Sequence, residues 1–142
     1  MPPPTLSGRL SVIPGTKLAV LESGRMGAPD ALIFIGMADK SCKLDLRLNT
    51  RFLALNLISI VFCFHQQAGL TDGLGTVGYA YALAEAIEKL GWSFVHLQLS
   101  SSHSQYGFKK LETDAHEIGL AIDYLRKDWG KQRVMLMGHS TG

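Results

Sequence analysis

The sequence is poor in the residues that mark several common classes of protein. Only two of its 142 residues are cysteines, Cys42 and Cys63, and their spacing matches no metal-binding motif. We expect both thiols to be free, because two cysteines so placed do not indicate a disulfide framework. The formal net charge is only +2, so the composition predicts no nucleic-acid surface.

The sequence also lacks the signal of a secreted protein and the complete signal of a nucleotide-binding protein. Met1 is followed by three prolines, with neither a basic segment nor an apolar one beside it, which predicts a cytoplasmic protein without a secretory leader. The glycines at positions 73, 75 and 78 have the Gly-x-Gly-x-x-Gly spacing, but they continue the loop that begins at Gly69 and do not directly follow a predicted strand, and no Lys-Ser/Thr pair of a P-loop follows them. A nucleotide-binding site is therefore not expected.

Short apolar runs alternate with amphipathic segments along the chain. Residues 1–8 are expected to be a disordered lead-in. Four apolar runs are typical of strands: residues 17–21, 31–35, 92–97 and 133–137. Apolar side chains recur at helical spacing in residues 79–90 and 111–125. This order predicts one α/β domain spanning 1–142, with a parallel sheet and helices on both faces.

Residues 37–68 interrupt this alternation. The segment has no glycine, although the chain has 15, and it holds both cysteines and the whole excess of positive charge. Its apolar part, residues 52–64, is too short to span a bilayer. Three interpretations are open: a lid helix over an acyl pocket, an interfacial anchor, or a translated intron. We favour the intron, because removing the segment joins Gly36 directly to the glycine-bearing loop at Gly69.

The last five residues have the pattern Gly-x-Ser-x-Gly directly after the apolar run 133–137. In this order the pattern is typical of a nucleophile elbow, a tight strand-to-helix turn that exposes a serine hydroxyl to substrate. The elbow predicts that Ser140 is a nucleophile. It also predicts that the backbone N–H of Thr141 stabilises the developing oxyanion.

The five histidines are weak candidates for the base that such a serine needs. His96 falls inside a predicted strand and is expected in the core, whereas His116 is expected on a helix surface. His103 follows the third predicted strand, at the sheet edge where ligands of open α/β sheets bind. We therefore take His103 as a substrate-site candidate, together with Asp72 in the loop before the first helix.

Several motifs together carry a family resemblance. They are Gly69-Leu70-Thr71-Asp72-Gly73-Leu74, Gly91-Trp92-Ser93, Leu99-Ser100-Ser101-Ser102 and Gly138-His139-Ser140-Thr141-Gly142. With these motifs the chain resembles a fungal family of α/β-hydrolase-fold proteins that is related to siderophore esterases of the fusarinine type. The resemblance covers residues 17–36 and 69–142 and corresponds to the amino-terminal half of such a protein.

The resemblance implies an acyl-enzyme mechanism. Ser140 would be the nucleophile, and the N–H groups of Thr141 and Leu70 would form the oxyanion hole. The substrate would be a small-molecule, siderophore-like ester, and no metal or organic cofactor would be needed. In this fold the acidic residue and the catalytic histidine follow the serine in the chain, but here only Thr141 and Gly142 follow it.

The sequence therefore predicts an incomplete α/β-hydrolase fold that is truncated at the elbow. We expect little esterase activity from these 142 residues and poor folding, because the strand before Ser140 would have an exposed edge. A non-catalytic binding protein with the same fold is the alternative. A membrane-associated fragment that uses Phe52–Phe64 is a third interpretation, although membrane binding is not expected.

Overall fold

A computed structural model of the chain describes residues 7–36, 60–63, 74, 79–102 and 109–139. These residues form six strands and two helices. In chain order they are β1 (Gly8–Val12), β2 (Ala19–Gly24), β3 (Asp30–Gly36), β4 (Ile60–Cys63), α1 (Ala80–Lys89), β5 (Ser93–Gln98), α2 (Leu111–Lys127) and β6 (Arg133–His139).

The six described strands form one mixed sheet in the order β1-β2-β5-β3-β6-β4. The inner strands β5, β3 and β6 are parallel, as predicted, and β4 continues the parallel pattern beyond β6. The prediction of a wholly parallel sheet is wrong, because β2 is antiparallel to both β1 and β5. A short connection between β1 and β2 allows this antiparallel pairing, whereas parallel neighbours need a longer crossover.

Strand β1 begins at Gly8, the last residue of the segment that was predicted to be a disordered lead-in. Gly8 pairs with Ser23, and the pairing continues to Val12 opposite Ala19. The turn after β1 is closed by the N–H of Ile13, which donates to the carbonyl of Leu18 at 3.0 Å. The amino-terminal part of the described chain is therefore an edge hairpin of the sheet.

Helices pack on both faces of the sheet, as the sequence predicted. Alternate residues of β3 separate into two buried clusters, since side chains point to opposite faces along a strand. Ile33 belongs to the cluster that contains Leu125 of α2. Phe34 belongs to the cluster that contains Leu83 and Ile87 of α1. Each helix thus buries its apolar stripe against one side of the same strand.

A glycine with positive φ lies two or three residues after the end of each helix, where the chain turns into the next strand. Gly91 has φ 80°, and the N–H of Trp92 donates to the carbonyl of Ile87 at 3.2 Å. Gly130 has φ 66°, and the N–H of Lys131 donates to the carbonyl of Leu125 at 3.0 Å. Glycine adopts this left-handed conformation without the steric cost that other residues incur.

The described part of the segment 37–68 is strand β4, which pairs in parallel with β6. These four residues are therefore extended and do not belong to a lid helix. β4 pairs with the last four residues of β6, Leu136–His139, on the side away from β3, so the exposed edge expected from the sequence is covered over these four residues. Among the described helices, none combines the length and the apolar character needed to cross a membrane.

Candidate functional site

The carboxyl ends of three parallel strands meet at one edge of the sheet. In the register of the sheet, His139 at the end of β6 is the partner of Gly36 on β3 and of Cys63 on β4. Ser140 is the next residue in the sequence. The strand that leads to the predicted nucleophile is therefore an interior strand that ends level with both of its neighbours.

The five predicted site residues themselves lie outside the described residues. They are Ser140, Thr141, Leu70, Asp72 and His103. Their roles therefore stay predictions. The structure does describe the backbone on which three of them depend, since β6 stops one residue before Ser140 and the loop after β5 is described to Ser102, one residue before His103.

The loop after β5 is bound to helix α2 by a carboxylate. Leu99 is buried in the cluster that includes Ala121 and Leu125 of α2. The N–H of Ser100 then donates to Oε2 of Glu117 at 2.8 Å. Sequence reasoning missed this role of Glu117. The sequence does not indicate from which distant backbone N–H an acidic residue on a helix will accept a hydrogen bond.

Two polar atoms of the same loop and helix are buried without a hydrogen-bond partner. They are Oγ of Ser100 and Oδ1 of Asp114. Asp114 precedes Glu117 by one helical turn, so the two carboxylates lie on the same side of α2. Buried polar atoms are normally paired. The bond from Ser100 to Glu117 therefore stabilises a contact at which other polar groups are left unpaired.

His96 is a core residue, as predicted. It is 2 % exposed, and its ring centroid lies 5.3 Å from that of Phe34 and 6.4 Å from that of Phe94. Burial lowers the pKa of His96 to about 4, because the apolar surroundings disfavour the charged imidazolium. The imidazole is therefore neutral near pH 7. His116 is exposed on α2, which also agrees with the prediction.

The opposite edge of the sheet holds a buried polar network that sequence reasoning did not find. Nζ of Lys131 donates to Oε1 of Glu22 at 2.6 Å, to the carbonyl of Ala28 at 2.7 Å and to Oγ of Ser93 at 2.9 Å. The side chains of Lys131 and Glu22 are both fully buried. Arg9 on the edge strand donates to Oε2 of Glu22 at 2.8 Å.

The charges in this network offset the cost of burying a carboxylate. Burial alone would raise the pKa of Glu22, but the hydrogen bond and charge of Lys131 lower it, with smaller contributions from the N–H of Gly27 and from Arg9. The net pKa lies below its usual value. Lys131 precedes β6 and Ser93 begins β5, so the network lies at the amino ends of the parallel strands, away from Ser140.

A second ion pair joins the first residues of two neighbouring strands at this same edge. Nε of Arg133 at the start of β6 donates to Oδ1 of Asp30 at 2.6 Å, and a second guanidinium N–H donates to Oδ2. This bidentate pair raises the pKa of Arg133. Both networks fix strand positions, and we assign the amino-terminal edge a structural role.

Within the described ranges, no group of three or more His, Cys, Asp and Glu side chains is arranged to hold a metal ion. At the carboxyl edge, β6 leads into the Gly-x-Ser-x-Gly pattern. This edge is also where open α/β sheets bind ligands.

Comparison with known protein families identifies the family to which the chain belongs. Residues 49–142 match the family described as protein of unknown function DUF1749. The chain belongs to this family. The match starts inside the segment 37–68 and includes β4 as well as the Gly-x-Ser-x-Gly pattern.

Two curated fungal proteins are similar to about half of this chain. A UPF0613 protein of Schizosaccharomyces pombe is 38% identical over 78 residues, which are 52% of this chain and 25% of the relative. Fusarinine C esterase sidJ of Aspergillus fumigatus is 35% identical over 82 residues, which are 52% of this chain and 23% of the relative. The chain thus spans about a quarter of the length of these relatives. The resemblance to a fungal family related to siderophore esterases is confirmed.

A solved structure extends the similarity to the whole chain. Siderophore hydrolase EstB from Aspergillus fumigatus superimposes with a TM-score of 0.62 and 28% sequence identity, and the match covers 100% of this chain and 35% of that protein. The two proteins thus share a fold over the part of EstB that the match covers. Of these relatives, sidJ is named as an esterase of fusarinine C and EstB as a siderophore hydrolase.

Proposed function

We propose that this chain carries the nucleophile of a serine esterase with an α/β-hydrolase fold, and that Ser140 is that nucleophile. The observation that carries the proposal is the position of β6. It pairs in parallel with β3 and ends at His139, level with Gly36, directly before a serine in the Gly-x-Ser-x-Gly pattern. The similarity to EstB over the whole chain supports the same interpretation.

The proposed reaction proceeds through an acyl-enzyme. The hydroxyl oxygen of Ser140 attacks the ester carbonyl, and the backbone N–H groups of Thr141 and Leu70 stabilise the negative charge on the carbonyl oxygen. Collapse of the tetrahedral intermediate releases the alcohol, and water then releases the acid. Each oxyanion donor is worth roughly 3 kcal/mol of transition-state stabilisation in such enzymes.

Neither of the two histidines whose side chains the structure describes provides the general base of this reaction. His96 is enclosed by aromatic side chains in the core, and His116 is exposed on α2. A serine hydroxyl without a base is a weak nucleophile. We therefore propose that these 142 residues alone have little esterase activity and that the complete protein supplies an acidic residue and a histidine after Ser140.

The substrate class follows from the relatives. Because sidJ and EstB are named as a fusarinine C esterase and a siderophore hydrolase, we propose a small-molecule, siderophore-like ester as the substrate. Asp72 and His103 are proposed to contact it. The proposed mechanism needs no metal or organic cofactor, and the cytoplasmic location expected from the sequence stays a prediction.

A second candidate is a non-catalytic binding protein with the same fold. The observation that favours it is the position of the two histidines whose side chains the structure describes, since His96 lies in the core and His116 lies on the surface of α2. Such a protein would keep the pocket at the carboxyl edge and bind the ester without cleaving it. Binding of an intact siderophore ester with no hydrolysis products would distinguish this function from the first.

The segment 37–68 has two proposed origins. The junction that its removal creates between Gly36 and Gly69 favours a translated intron. The pairing of β4 with β6, and the start of the family match at residue 49, favour a native part of the sheet. The sequence of the transcript across Gly36–Gly69 separates the two.

Hydrolysis measured on the product of the sequenced transcript tests the proposed function. The substrates are a hydroxamate siderophore ester and a simple aryl ester, and product is measured by chromatography. We expect Ser140→Ala to lower kcat/KM by at least about 1000-fold. Ser7→Ala, at an exposed position outside the sheet, is the matched control and should leave the rate unchanged. Equal rates for Ser140→Ala and wild type would refute the proposal.

A further inference from the structure

We infer that the free edge of β1 is a dimerisation surface, on which β1 of a second copy of this chain pairs in antiparallel orientation about Leu10. The inference does not depend on the proposed esterase function. Among the described strands, β1 has a neighbour only on the side of β2. Such an edge presents a row of unpaired backbone N–H and C=O groups, which another strand can bind.

A hydrogen bond at the end of the hairpin shows which backbone groups of β1 point outward. The N–H of Ile13 donates to the carbonyl of Leu18, the residue opposite it when the register of the two strands is continued. In an antiparallel pair, hydrogen-bonded and non-hydrogen-bonded residues alternate. Val12 and Leu10 therefore point their N–H and C=O groups to the free edge, and so does Gly8.

The side chains of Leu10 and Val12 make this edge apolar. They are 65 % and 58 % exposed. Leu10 lies opposite Leu21 on β2, and Leu21 lies opposite His96 on β5, so an apolar row runs from the core to the edge on one face of the sheet. Strand β1 contains neither lysine nor proline, and its pairing with β2 has no bulge. The edge thus lacks the features that usually prevent a strand from pairing with another chain.

Charge on this edge favours a second copy over an acidic partner. Arg9 is the charged residue of β1, and it is already neutralised within its own chain. Its guanidinium donates to Oε2 of Glu22 at 2.8 Å, and its Cζ lies 3.9 Å from the ring centroid of Trp129. A partner strand therefore needs no negative charge, and a copy of β1 has none. A register that places Arg9 opposite Arg9 of the other copy is disfavoured, because like charges opposite each other destabilise a sheet.

The backbone groups select a register centred on Leu10. A two-fold axis there places Leu10 opposite Leu10 of the other copy and Val12 opposite Gly8 of the other copy. The residues that point outward then face one another, so about six backbone hydrogen bonds can form. A register centred on Ser11 would instead place Gly8 opposite Pro14, which has no N–H to donate.

The size of this contact predicts a weak dimer. Five residues of β1 take part from each copy. A standard stable interface uses about 20–30 residues a side. We therefore expect a dissociation constant on the order of 10–100 μM and an equilibrium between monomer and dimer.

Sedimentation velocity tests the inference on the product of the sequenced transcript, in wild type and three variants, between about 1 and 300 μM. Leu10→Lys places two like charges at the axis. Val12→Pro removes an outward N–H that β2 does not use. Met26→Lys is the matched control, because Met26 is 55 % exposed and lies in the turn after β2, outside β1. Thermal unfolding shows whether each variant is folded.

We expect wild type and Met26→Lys to dimerise equally. Leu10→Lys and Val12→Pro should each raise the dissociation constant at least about tenfold.

Two cysteine variants test the register. Leu10→Cys should form a disulfide between two copies under mild oxidation, because opposite residues of a hydrogen-bonded pair have Cα atoms about 5.5 Å apart. Val12→Cys should stay at the wild-type background. Its two copies would lie about 14 Å apart along the strands, too far for a disulfide.

Three results would overturn the inference. The first is a wild-type protein that stays monomeric at the highest concentration; amide hydrogen exchange at Leu10 then shows whether another part of the same chain covers the edge. The second is equal dimerisation of wild type, Leu10→Lys and Val12→Pro, which would place the contact on another surface. The third is equal cross-linking of Leu10→Cys and Val12→Cys, which would exclude the antiparallel pairing about Leu10. None of these results bears on hydrolysis by Ser140, so the proposed function is tested separately.

Discussion

Nζ of Lys131 lies 2.6 Å from Oε1 of Glu22, and neither side chain is exposed to solvent. The two residues are 109 positions apart in the sequence. Their contact joins the residue before β6 to the antiparallel strand β2. The edge hairpin is thereby tied to the parallel core by a charged pair at the amino ends of the parallel strands, opposite the proposed ester site.

Removing one partner of this pair should destabilise the fold strongly. We expect Lys131→Met to lower the free energy of unfolding by about 3–5 kcal/mol, because Glu22 would stay buried with only the charge of Arg9 beside it. The double variant Glu22→Leu/Lys131→Met should be more stable than Lys131→Met alone. Urea denaturation measures both differences.

The matched control is Lys89→Met, which breaks an exposed ion pair of similar length. Nζ of Lys89 lies 3.0 Å from Oε1 of Glu85, and both side chains are mostly exposed. Exposed pairs contribute roughly 0–1 kcal/mol, so this variant should be close to wild type. If Lys131→Met costs no more than Lys89→Met, the buried pair does not stabilise the hairpin.

His96 should make the protein sensitive to mild acid. The pKa of His96 in the folded protein, about 4, is below its ordinary value of 6.5, so the unfolded state binds more protons between these values. The resulting stability is fully present above about pH 6.5 and is lost as the pH falls towards 4. A shift of this size corresponds to on the order of 3 kcal/mol.

Urea denaturation between pH 7.5 and 4.5 checks this dependence. His96→Leu should flatten the fall of the unfolding free energy over this range, whereas His116→Leu, at an exposed position, should keep the wild-type slope. Equal slopes in His96→Leu and wild type would contradict the assignment of a neutral, buried imidazole.

Two glycines near α2 should respond in opposite ways to alanine. Gly119 lies inside the helix, and a Cβ there would meet no atom within 4 Å, so Gly119→Ala should stabilise the protein by about 0.5–1 kcal/mol. Gly130 also has open space around it, but its φ is +66°. Gly130→Ala should therefore cost about 1 kcal/mol from backbone strain alone. Thermal unfolding of both variants measures the contrast, and a change of the same sign in both would contradict it.

The elements that local patterns predict well are those with a strong apolar signal. Strand β3 and both helices were predicted within one or two residues, because their apolar runs and helical spacing are continuous. Strand β1 was missed, since its residues Leu10 and Val12 are exposed on an edge strand and show no buried run. The antiparallel pairing of β2 with β5 is a long-range choice that the local sequence does not specify.

The candidate site also has a part that local patterns predict and a part that they do not. A short motif predicted Ser140 and Thr141, and the parallel alternation placed them at the carboxyl edge of the sheet. The contact of Glu117 with Ser100 and that of Lys131 with Glu22 depend on how distant elements pack. No spacing in the sequence indicates such contacts, because side chains that meet across the fold have no common period.

The intron proposal predicts a specific transcript. If 37–68 is translated intron, the mature message joins the codon of Gly36 to that of Gly69, and its frame continues to an acidic residue and a histidine after Ser140. Full-length sequencing of the message tests both statements. A message that keeps the segment and stops after Gly142 would instead make β4 a native strand and favour the binding function.

The most direct test of the central claim is to trap the acyl-enzyme on Ser140. The product of the sequenced transcript is treated with a fluorophosphonate or an activated ester, and the intact protein and its peptides are weighed by mass spectrometry. We predict one adduct per chain, located on Ser140, and none in Ser140→Ala. An adduct on another residue, or none while a known serine hydrolase reacts under the same conditions, would contradict the assignment of Ser140 as the nucleophile.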